Sequence, residues 1–294
     1  MGRAVSFCLL ALMTACSGLP ARPEIDAGAS DFSSRRARAH FAALAELRPR
    51  PAGSEAAARA RAYVERELRW VGAEVEDRED EGARSILAWL PGSSADRLLV
   101  VAPWSPEGEG AGPDDAGVAT LLELARALSR RPLPYTVGFA APTVPPSSDS
   151  GSREEVRASG AALVELLKAE AGLDAIRAVI IVEPRAEAPG QIARDLRSHP
   201  VFRNLFWRTA ARLGHEATFS QEAGWSTPEG VQGAFLSAGY GRVLSLVDDR
   251  TAVRGAEGAP AFPDPDAFQP VGTVAYEGLL QLMARFVRVD AFSP

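Results

Sequence analysis

Cysteine and histidine are scarce in this chain of 294 residues. Both cysteines, Cys8 and Cys16, lie within the first 16 residues, so the remaining sequence can form neither a disulfide nor a thiolate metal site. The three histidines are His40, His199 and His215, and this number excludes a histidine-rich metal centre. We expect each histidine to lie at the surface or at a helix end.

Long basic runs are also absent. The chain has 32 Lys and Arg against 38 Asp and Glu, which gives a formal net charge of −6 and argues against a nucleic-acid-binding protein. Hydrophobic residues make up 46% and charged residues 24%, a mixture typical of a globular protein with a substantial core. This length suits one large α/β domain or two small ones.

The first 16 residues have the layout of a secretory signal. Arg3 precedes the apolar run Ala4–Met13, which is too short to span a membrane stably. The segment Leu12–Cys16 resembles a bacterial lipobox, although Met13 stands where leucine is preferred. The resemblance implies a signal peptide over residues 1–15, removed before Cys16 is lipidated. An alternative is cleavage near Ala21, which would release a soluble periplasmic protein.

Lipidation of Cys16 predicts a protein anchored to a membrane of the bacterial cell envelope, facing the periplasm or the cell surface. Residues 16–34 are poor in large apolar side chains and contain several glycines and prolines, which is typical of a flexible tether. The folded domain is expected over residues 35–290. We find no internal repeat and no second domain boundary in it.

Apolar runs alternate with helical periodicity throughout this domain. The predicted strands are Ala73–Asp77, Ser85–Leu90, Leu98–Ala102, Tyr135–Ala141, Ile176–Glu183 and Arg242–Val247. The later predicted helices are Gly117–Ser129, Glu154–Ala171, Pro200–Leu213 and Asp266–Phe286. Strands that alternate with helices predict a three-layer α/β/α fold with a mostly parallel central sheet.

An acidic, glycine-rich loop, Pro106–Gly117, follows the buried strand that begins at Leu98. Ligands of open α/β sheets bind at the carboxyl ends of strands, where acidic loops commonly hold metals. Asp114 and Asp115 are therefore candidate ligands. The same pair has a structural interpretation, since carboxylates favour the start of a helix.

Four segments of the chain resemble the M28 family of zinc aminopeptidases, in particular the branch that includes the glutaminyl cyclases. They cover most of the expected domain and occur in the family's order. The segments are Arg50–Ser54 with Ala60–Gly72, Gly117–Leu128, Tyr135–Ser152, and Gly230–Asp248 with Pro265–Gly272. The resemblance implies the M28 architecture, in which one or two zinc ions polarise a carbonyl and a glutamate moves the proton.

Most of the ligand positions implied by the resemblance carry residues that cannot bind zinc. Pro103 and Ser105 stand where the family has His-x-Asp, and Pro146 stands at a glutamate ligand. The position of the family's catalytic base is occupied by Pro145, and that of the late histidine by Arg254. The resemblance therefore implies no catalytic residue in this chain.

Two implied ligands survive imperfectly. Asp114 matches the bridging aspartate only if one residue is deleted, and Glu183 stands where the family has aspartate. Two carboxylates are too few for a zinc site. We therefore expect no cofactor, and a catalytically inactive homologue that binds a peptide or protein partner. Trp104, in the former metal pocket, is expected as a hydrophobic plug or as a platform for a ligand.

Three alternatives remain open from the sequence. One is an active zinc-dependent aminopeptidase or glutaminyl-peptide cyclotransferase that uses a displaced ligand set. Another is a structural scaffold within an envelope complex. The third is a calcium site built from nearby acidic residues. Its candidate ligands are Asp149, Glu154, Glu155, Asp248 and Asp249.

Overall fold

A computed structural model describes most of the expected domain. The described residues are 31–80, 83–105, 113–144, 153–170, 172–184, 190–224, 230–248 and 265–291. The predicted signal peptide, Cys16 and most of the predicted tether lie outside them. So do Pro145, Pro146 and Arg254, and of Asp114 only the backbone is described.

The helices and strands alternate along the chain, as expected. The helices are α1 Ser34–Ala45, α2 Glu55–Trp70, α3 Pro113–Ser129, α4 Arg153–Glu170, α5 Pro200–Arg212, α6 Val231–Ser237 and α7 Gln269–Asp290. The strands are β1 Glu74–Asp80, β2 Ala83–Leu90, β3 Ser94–Val101, β4 Tyr135–Ala141, β5 Ile176–Glu183, β6 Ile192–Asp195, β7 Phe219–Gly224 and β8 Val243–Val247. Short 3₁₀ turns occupy Leu173–Ala175 and Pro265–Ala267.

Six strands form the central sheet in the order β1-β2-β4-β3-β5-β8. The strand β2 pairs antiparallel with β1 and β4, whereas β3 pairs parallel with β4 and β5, and β5 parallel with β8. The strands β6 and β7 form a separate parallel pair. A mostly parallel sheet with helices between its strands confirms the predicted fold class.

The strand β3 shows how the three layers are held together. Leu98 and Val100 belong to a core shared with α1, α2, α3, α5 and α7. Leu99 and Val101 belong to a second core, shared with α4 and α6. Successive side chains of a strand point to opposite faces, so one fully buried strand supplies both cores.

Several sequence predictions were wrong at the boundaries or missed an element. The helix α3 begins at Pro113 instead of Gly117, because proline suits the first helical position and its missing N–H is not needed there. The short elements β6, β7 and α6 were not predicted. His40 is also not at the surface: it lies in α1 at 5% exposure, and its Nδ1 contacts the Tyr63 hydroxyl at 2.8 Å.

The ends of the closing helix also differ from the prediction. The helix α7 starts at Gln269, after the 3₁₀ turn, and continues to Asp290, four residues beyond the predicted Phe286. Among the described helices, none is long and apolar enough to cross a bilayer.

Candidate functional site

The segment after β3 forms the floor of the expected site. The Trp104 amide donates to the Pro142 carbonyl at 3.0 Å, and the Val144 amide donates to the Trp104 carbonyl at 2.9 Å. These bonds extend the parallel pairing of β3 and β4 beyond both strand ends, and Trp104 is fully buried. A side chain held on such an extension has little freedom to move.

Asp115, in the first turn of α3, is the centre of a buried charge cluster. Its Oδ2 accepts hydrogen bonds from Arg48 Nε at 2.9 Å and Arg48 Nη2 at 2.8 Å. Its Oδ1 accepts hydrogen bonds from Arg50 Nη2 at 2.8 Å and from the indole Nε1 of Trp104 at 2.9 Å. Each carboxylate oxygen therefore has two donors, and the side chain has no exposed surface.

The two arginines come from the segment between α1 and α2. The Arg50 side chain is fully buried, and its guanidinium also donates to the carbonyls of Leu44 and Ser105, each at 3.3 Å. The same group lies 5.6 Å from the centre of the Trp104 ring. Only 8% of the Arg48 side chain is exposed. We call Arg48, Arg50, Trp104 and Asp115 the Asp115 cluster.

Electrostatics keep Asp115 ionised. Burial raises the pKa of this carboxyl group, but the charges of Arg50 and Arg48 and the hydrogen bonds from Arg50 and Trp104 outweigh the effect of burial. The pKa therefore lies below its ordinary value of 3.8. Because arginine keeps its charge at all ordinary pH values, the cluster stays an ion pair that Asp115 shares between two cations.

A third guanidinium lies nearby. Arg61 of α2 is 8% exposed, and its Nη2 donates to the hydroxyl of Thr143 at 3.0 Å. Thr143 pairs with Trp104 in an isolated parallel bridge. Three arginine side chains therefore lie at the carboxyl edge of the sheet, where the resemblance implies metal ligands.

The remaining predicted site residues lie either beside the Asp115 cluster or at the ends of β5 and β8. Pro103 is buried and Ser105 half-buried beside the Asp115 cluster, where the Ser105 carbonyl accepts from Arg50. Glu183 is half-buried at the end of β5, and its carbonyl accepts from the Asp248 amide at 3.3 Å. Asp248 is buried at 1% exposure. The predictions for Pro145, Pro146, Arg254 and the Asp114 side chain lie outside the described residues.

The described residues do not fit a zinc ion. Both oxygens of Asp115 already accept from permanent cations, and proline at position 103 has no side-chain donor atom. Within the described ranges, no group of three or more histidine, cysteine, aspartate or glutamate side chains is placed to hold a metal. Of the proposed calcium ligands, Glu154 is exposed and Glu155 half-buried, while Asp149 and Asp249 are not described.

The Trp104 side chain offers no surface to a ligand. Its ring has no exposed surface, and its only polar atom is committed to Asp115. A ligand platform needs an accessible ring face, so the geometry favours the plug over the platform.

Sequence reasoning missed the arginines of the cluster. Arg50 belongs to the predicted family-like segment Arg50–Ser54, and no functional prediction was made for Arg48. Two arginines at alternate positions of a proline-rich segment were the only available signal. Their partner lies 65 to 67 residues further along the chain.

Comparisons with known proteins agree with this architecture. The glutaminyl cyclase of Porphyromonas gingivalis superposes with a TM-score of 0.69 at 18% identity, covering 86% of this chain and 100% of that one. The glutaminyl cyclase of an Acidobacteriales bacterium gives 0.71 at 16% identity, covering 90% and 100%. The chain has the glutaminyl cyclase fold.

A peptidase shares the same fold. The leucine aminopeptidase precursor of Bacteroides thetaiotaomicron superposes with a TM-score of 0.70 at 15% identity, covering 84% of this chain and 96% of that one. No protein-family model and no curated protein sequence matches the chain. At these identities the likeness establishes the glutaminyl cyclase fold and leaves the activity to be argued from the site.

Proposed function

We propose that this protein is a non-catalytic relative of the M28 peptidases that binds a peptide or protein partner in the bacterial cell envelope. The observation that supports this proposal is the saturation of Asp115 by Arg48, Arg50 and Trp104. The Asp115 carboxylate is the counterion of the two arginines in the segment that precedes α2.

The charges of the Asp115 cluster oppose metal binding. At about 4 Å and an effective dielectric constant of about 20, a divalent cation and one guanidinium repel each other by about 8 kcal/mol. Arg48 and Arg50 together supply about twice that repulsion, whereas Asp115 supplies an attraction of about 8 kcal/mol. In such an arrangement the two guanidinium groups repel a divalent cation more strongly than the single Asp115 carboxylate attracts it.

The second support is the absence of a proton-transfer group at the implied position. Pro145 occupies the place of the family's base, and a proline side chain can neither accept nor donate a proton. Without a metal to polarise a carbonyl and a base to move the proton, the pocket retains no means of hydrolysis or cyclisation. Peptide binding is proposed because aminopeptidases and glutaminyl cyclases with this fold act at peptide N-termini.

Turnover assays test the loss of activity. The mature protein, with zinc added, is incubated with aminoacyl anilides and with peptides that begin with glutamine. We expect no release of amine and no cyclised product. Turnover that a chelator abolishes would contradict the proposal and support an active enzyme with displaced ligands.

The envelope location rests on the lipobox-like segment and is tested separately. We expect metabolic labelling with a radioactive fatty acid to mark the wild-type chain, and the Cys16→Ser variant to remain unlabelled. Equal labelling of both chains, or of neither, would contradict anchoring through Cys16.

A further inference from the structure

Both ends of the described domain lie at the amino edge of the central sheet, where the parallel strands β3, β4, β5 and β8 begin. At one end, the Asp31 carboxylate accepts a hydrogen bond at 3.0 Å from Arg131, in the loop that leads into β4. At the other end, the Asp290 carboxylate accepts a hydrogen bond at 2.5 Å from the hydroxyl of Tyr135, the first residue of β4. This edge is opposite the carboxyl edge, which holds the Asp115 cluster.

The start of the domain is fixed at the amino edge. Phe32 is buried, and its ring lies so close to Gly272 of α7 that a Cβ there would overlap it. The Ser33 amide donates to the buried carboxylate of Glu123 at 2.9 Å. A segment before Asp31 therefore joins the domain at this edge. Residues 16–30 span at most about 50 Å when extended, so lipidation of Cys16 would hold the amino edge near the bilayer.

The large apolar side chains that are exposed in the described residues all lie at this edge. Trp70 is the last residue of α2, directly before the short loop into β1. Val287 and Val289 lie in the last turn of α7. Val201, in the first turn of α5, follows a segment that is hydrogen-bonded to the start of β8. Exposed apolar side chains gathered in one region are typical of a surface that binds a partner or a membrane.

Arginines accompany these apolar side chains. Arg285 and Arg288 are exposed near the end of α7, and Arg130 is exposed directly after α3. None of the three forms an ion pair with any residue that the structure describes. We call the surface formed by these side chains the amino face. Its residues are Trp70, Arg130, Arg285, Val287, Arg288 and Val289.

Several acidic side chains at the amino edge are already paired with arginines of the sheet. Asp96 and Asp290 pair with Arg177 at 3.0 Å and 2.6 Å. Glu170 pairs with Arg97 at 2.6 Å. Their negative charges are therefore balanced locally and do not offset the arginines of the amino face.

The loops at this edge add positive charge. The segments that lead into β1, β3, β4, β5 and β8 contain Arg130, Arg131 and Arg242 against one acidic residue, Asp174. Glu74, at the start of β1, adds a second exposed carboxylate. The amino edge is therefore positive on a chain whose net charge is −6. An anionic surface attracts this edge and repels the rest of the protein.

A bilayer surface fits this combination of groups. The exposed apolar side chains are distributed over the ends of three helices, which suits a broad surface better than a single peptide. Tryptophan is favoured at the boundary between lipid headgroups and acyl chains, and arginines bind anionic headgroups. We propose that the amino face lies against the anionic lipid surface of the membrane that anchors the protein, so that the Asp115 cluster faces away from the bilayer. This orientation rests on the proposed anchoring through Cys16.

Tethered vesicles test the orientation without depending on lipidation in the cell. Cys16 is the only cysteine after the predicted signal peptide, so the mature protein can be coupled through it to a maleimide lipid. The vesicles consist of phosphatidylglycerol with brominated acyl chains, which quench tryptophan fluorescence only at close range. We expect quenching of the wild-type protein and its loss in the Trp70→Phe variant.

Charge reversal tests the electrostatic contribution. One arginine near an anionic surface favours binding about fivefold, so Arg285→Glu combined with Arg288→Glu should reduce the quenching to less than about half. The control combines Arg208→Glu with Arg212→Glu, which makes the same change in charge at exposed positions of α5. These positions lie about 10 Å or more along the helix from its first turn, and we expect quenching as in the wild type.

Three results would overturn the inference. One is wild-type fluorescence that brominated lipid does not quench, which would leave the amino face to a protein partner. Another is quenching that persists in Trp70→Phe, because a different tryptophan would then face the bilayer. The third is equal quenching in the amino-face double variant and its control. Because the coupling is chemical, each of these failures is distinct from a failure of fatty-acid labelling at Cys16.

Discussion

Replacing Asp115 by asparagine removes the charge on which the Asp115 cluster depends. The variant keeps the side-chain volume and one carbonyl oxygen, so the main change is the loss of the negative charge. Arg48 and Arg50 then face each other with side-chain exposures of 8% and 0% and without their common counterion. Neither can lose its proton, because the guanidinium pKa is too high.

The expected cost follows from this burial. Removing one partner of a buried ion pair destabilises a protein by about 3–5 kcal/mol, because the remaining charge is left uncompensated. Because Asp115 is the counterion of two arginines, we expect a destabilisation near the upper end of this range. The carbonyls of Leu44 and Ser105 still accept from Arg50 and moderate it. We therefore expect Asp115→Asn to lower the free energy of unfolding by about 3–5 kcal/mol.

Urea unfolding of the mature protein measures this difference in the free energy of unfolding. The transition is monitored by circular dichroism and by tryptophan fluorescence, and the two curves should coincide if unfolding is two-state. The matched control is Glu165→Gln on α4, since Glu165 pairs with Lys168 at 2.7 Å and their side chains are 64% and 43% exposed. We expect this exposed pair to contribute less than about 1 kcal/mol.

An Asp115→Asn variant as stable as the Glu165→Gln control would refute the counterion role. An increase in stability would refute it more strongly. Residues kept for catalysis commonly reduce stability, so their replacement commonly raises it.

Two further predictions concern parts of the fold away from the Asp115 cluster. Gly272→Ala should destabilise the protein by about 1–3 kcal/mol, because a Cβ there would overlap the ring of Phe32. Gly241→Ala, where a Cβ meets nothing within 4 Å, should leave the thermal midpoint unchanged, and equal midpoints for the two variants would contradict this packing. Burial, with the hydrogen bond to Asp290, raises the pKa of Tyr135 from 10.0 to about 12, so its stabilisation is present below pH 10 and is lost as the pH rises through 12. Ultraviolet titration should show a step near pH 12 that Tyr135→Phe removes, and its persistence in that variant would contradict the assignment.

The buried strands of the central sheet could be predicted from the sequence because they contain continuous apolar runs, such as Leu98–Val101 and Ala178–Val182. The strands Tyr135–Ala141 and Ile176–Glu183 have the predicted bounds. The β6–β7 pair was missed because the four residues of β6 are too few for a pattern and the strand β7 is mostly polar. Boundaries near proline were also unreliable, as the start of α3 at Pro113 shows.

The candidate site was predicted less completely than the fold. The family resemblance implied Asp114 as a metal ligand. In the structure its neighbour Asp115 accepts hydrogen bonds from two arginines and an indole. Such contacts join residues far apart in the chain, and no local pattern reports them. That Pro145, Pro146 and Arg254 replace the family's base and ligands stays a prediction, since these residues lie outside the described ranges.

The metal content of the mature protein tests the central claim most directly. The protein is equilibrated with excess zinc, passed through a desalting column, and its zinc is measured by mass spectrometry. Because Arg48 and Arg50 already neutralise Asp115, we expect far less than one zinc ion per chain. One tightly bound zinc ion per chain, lost in the Asp115→Asn variant while that variant remains folded, would contradict this account.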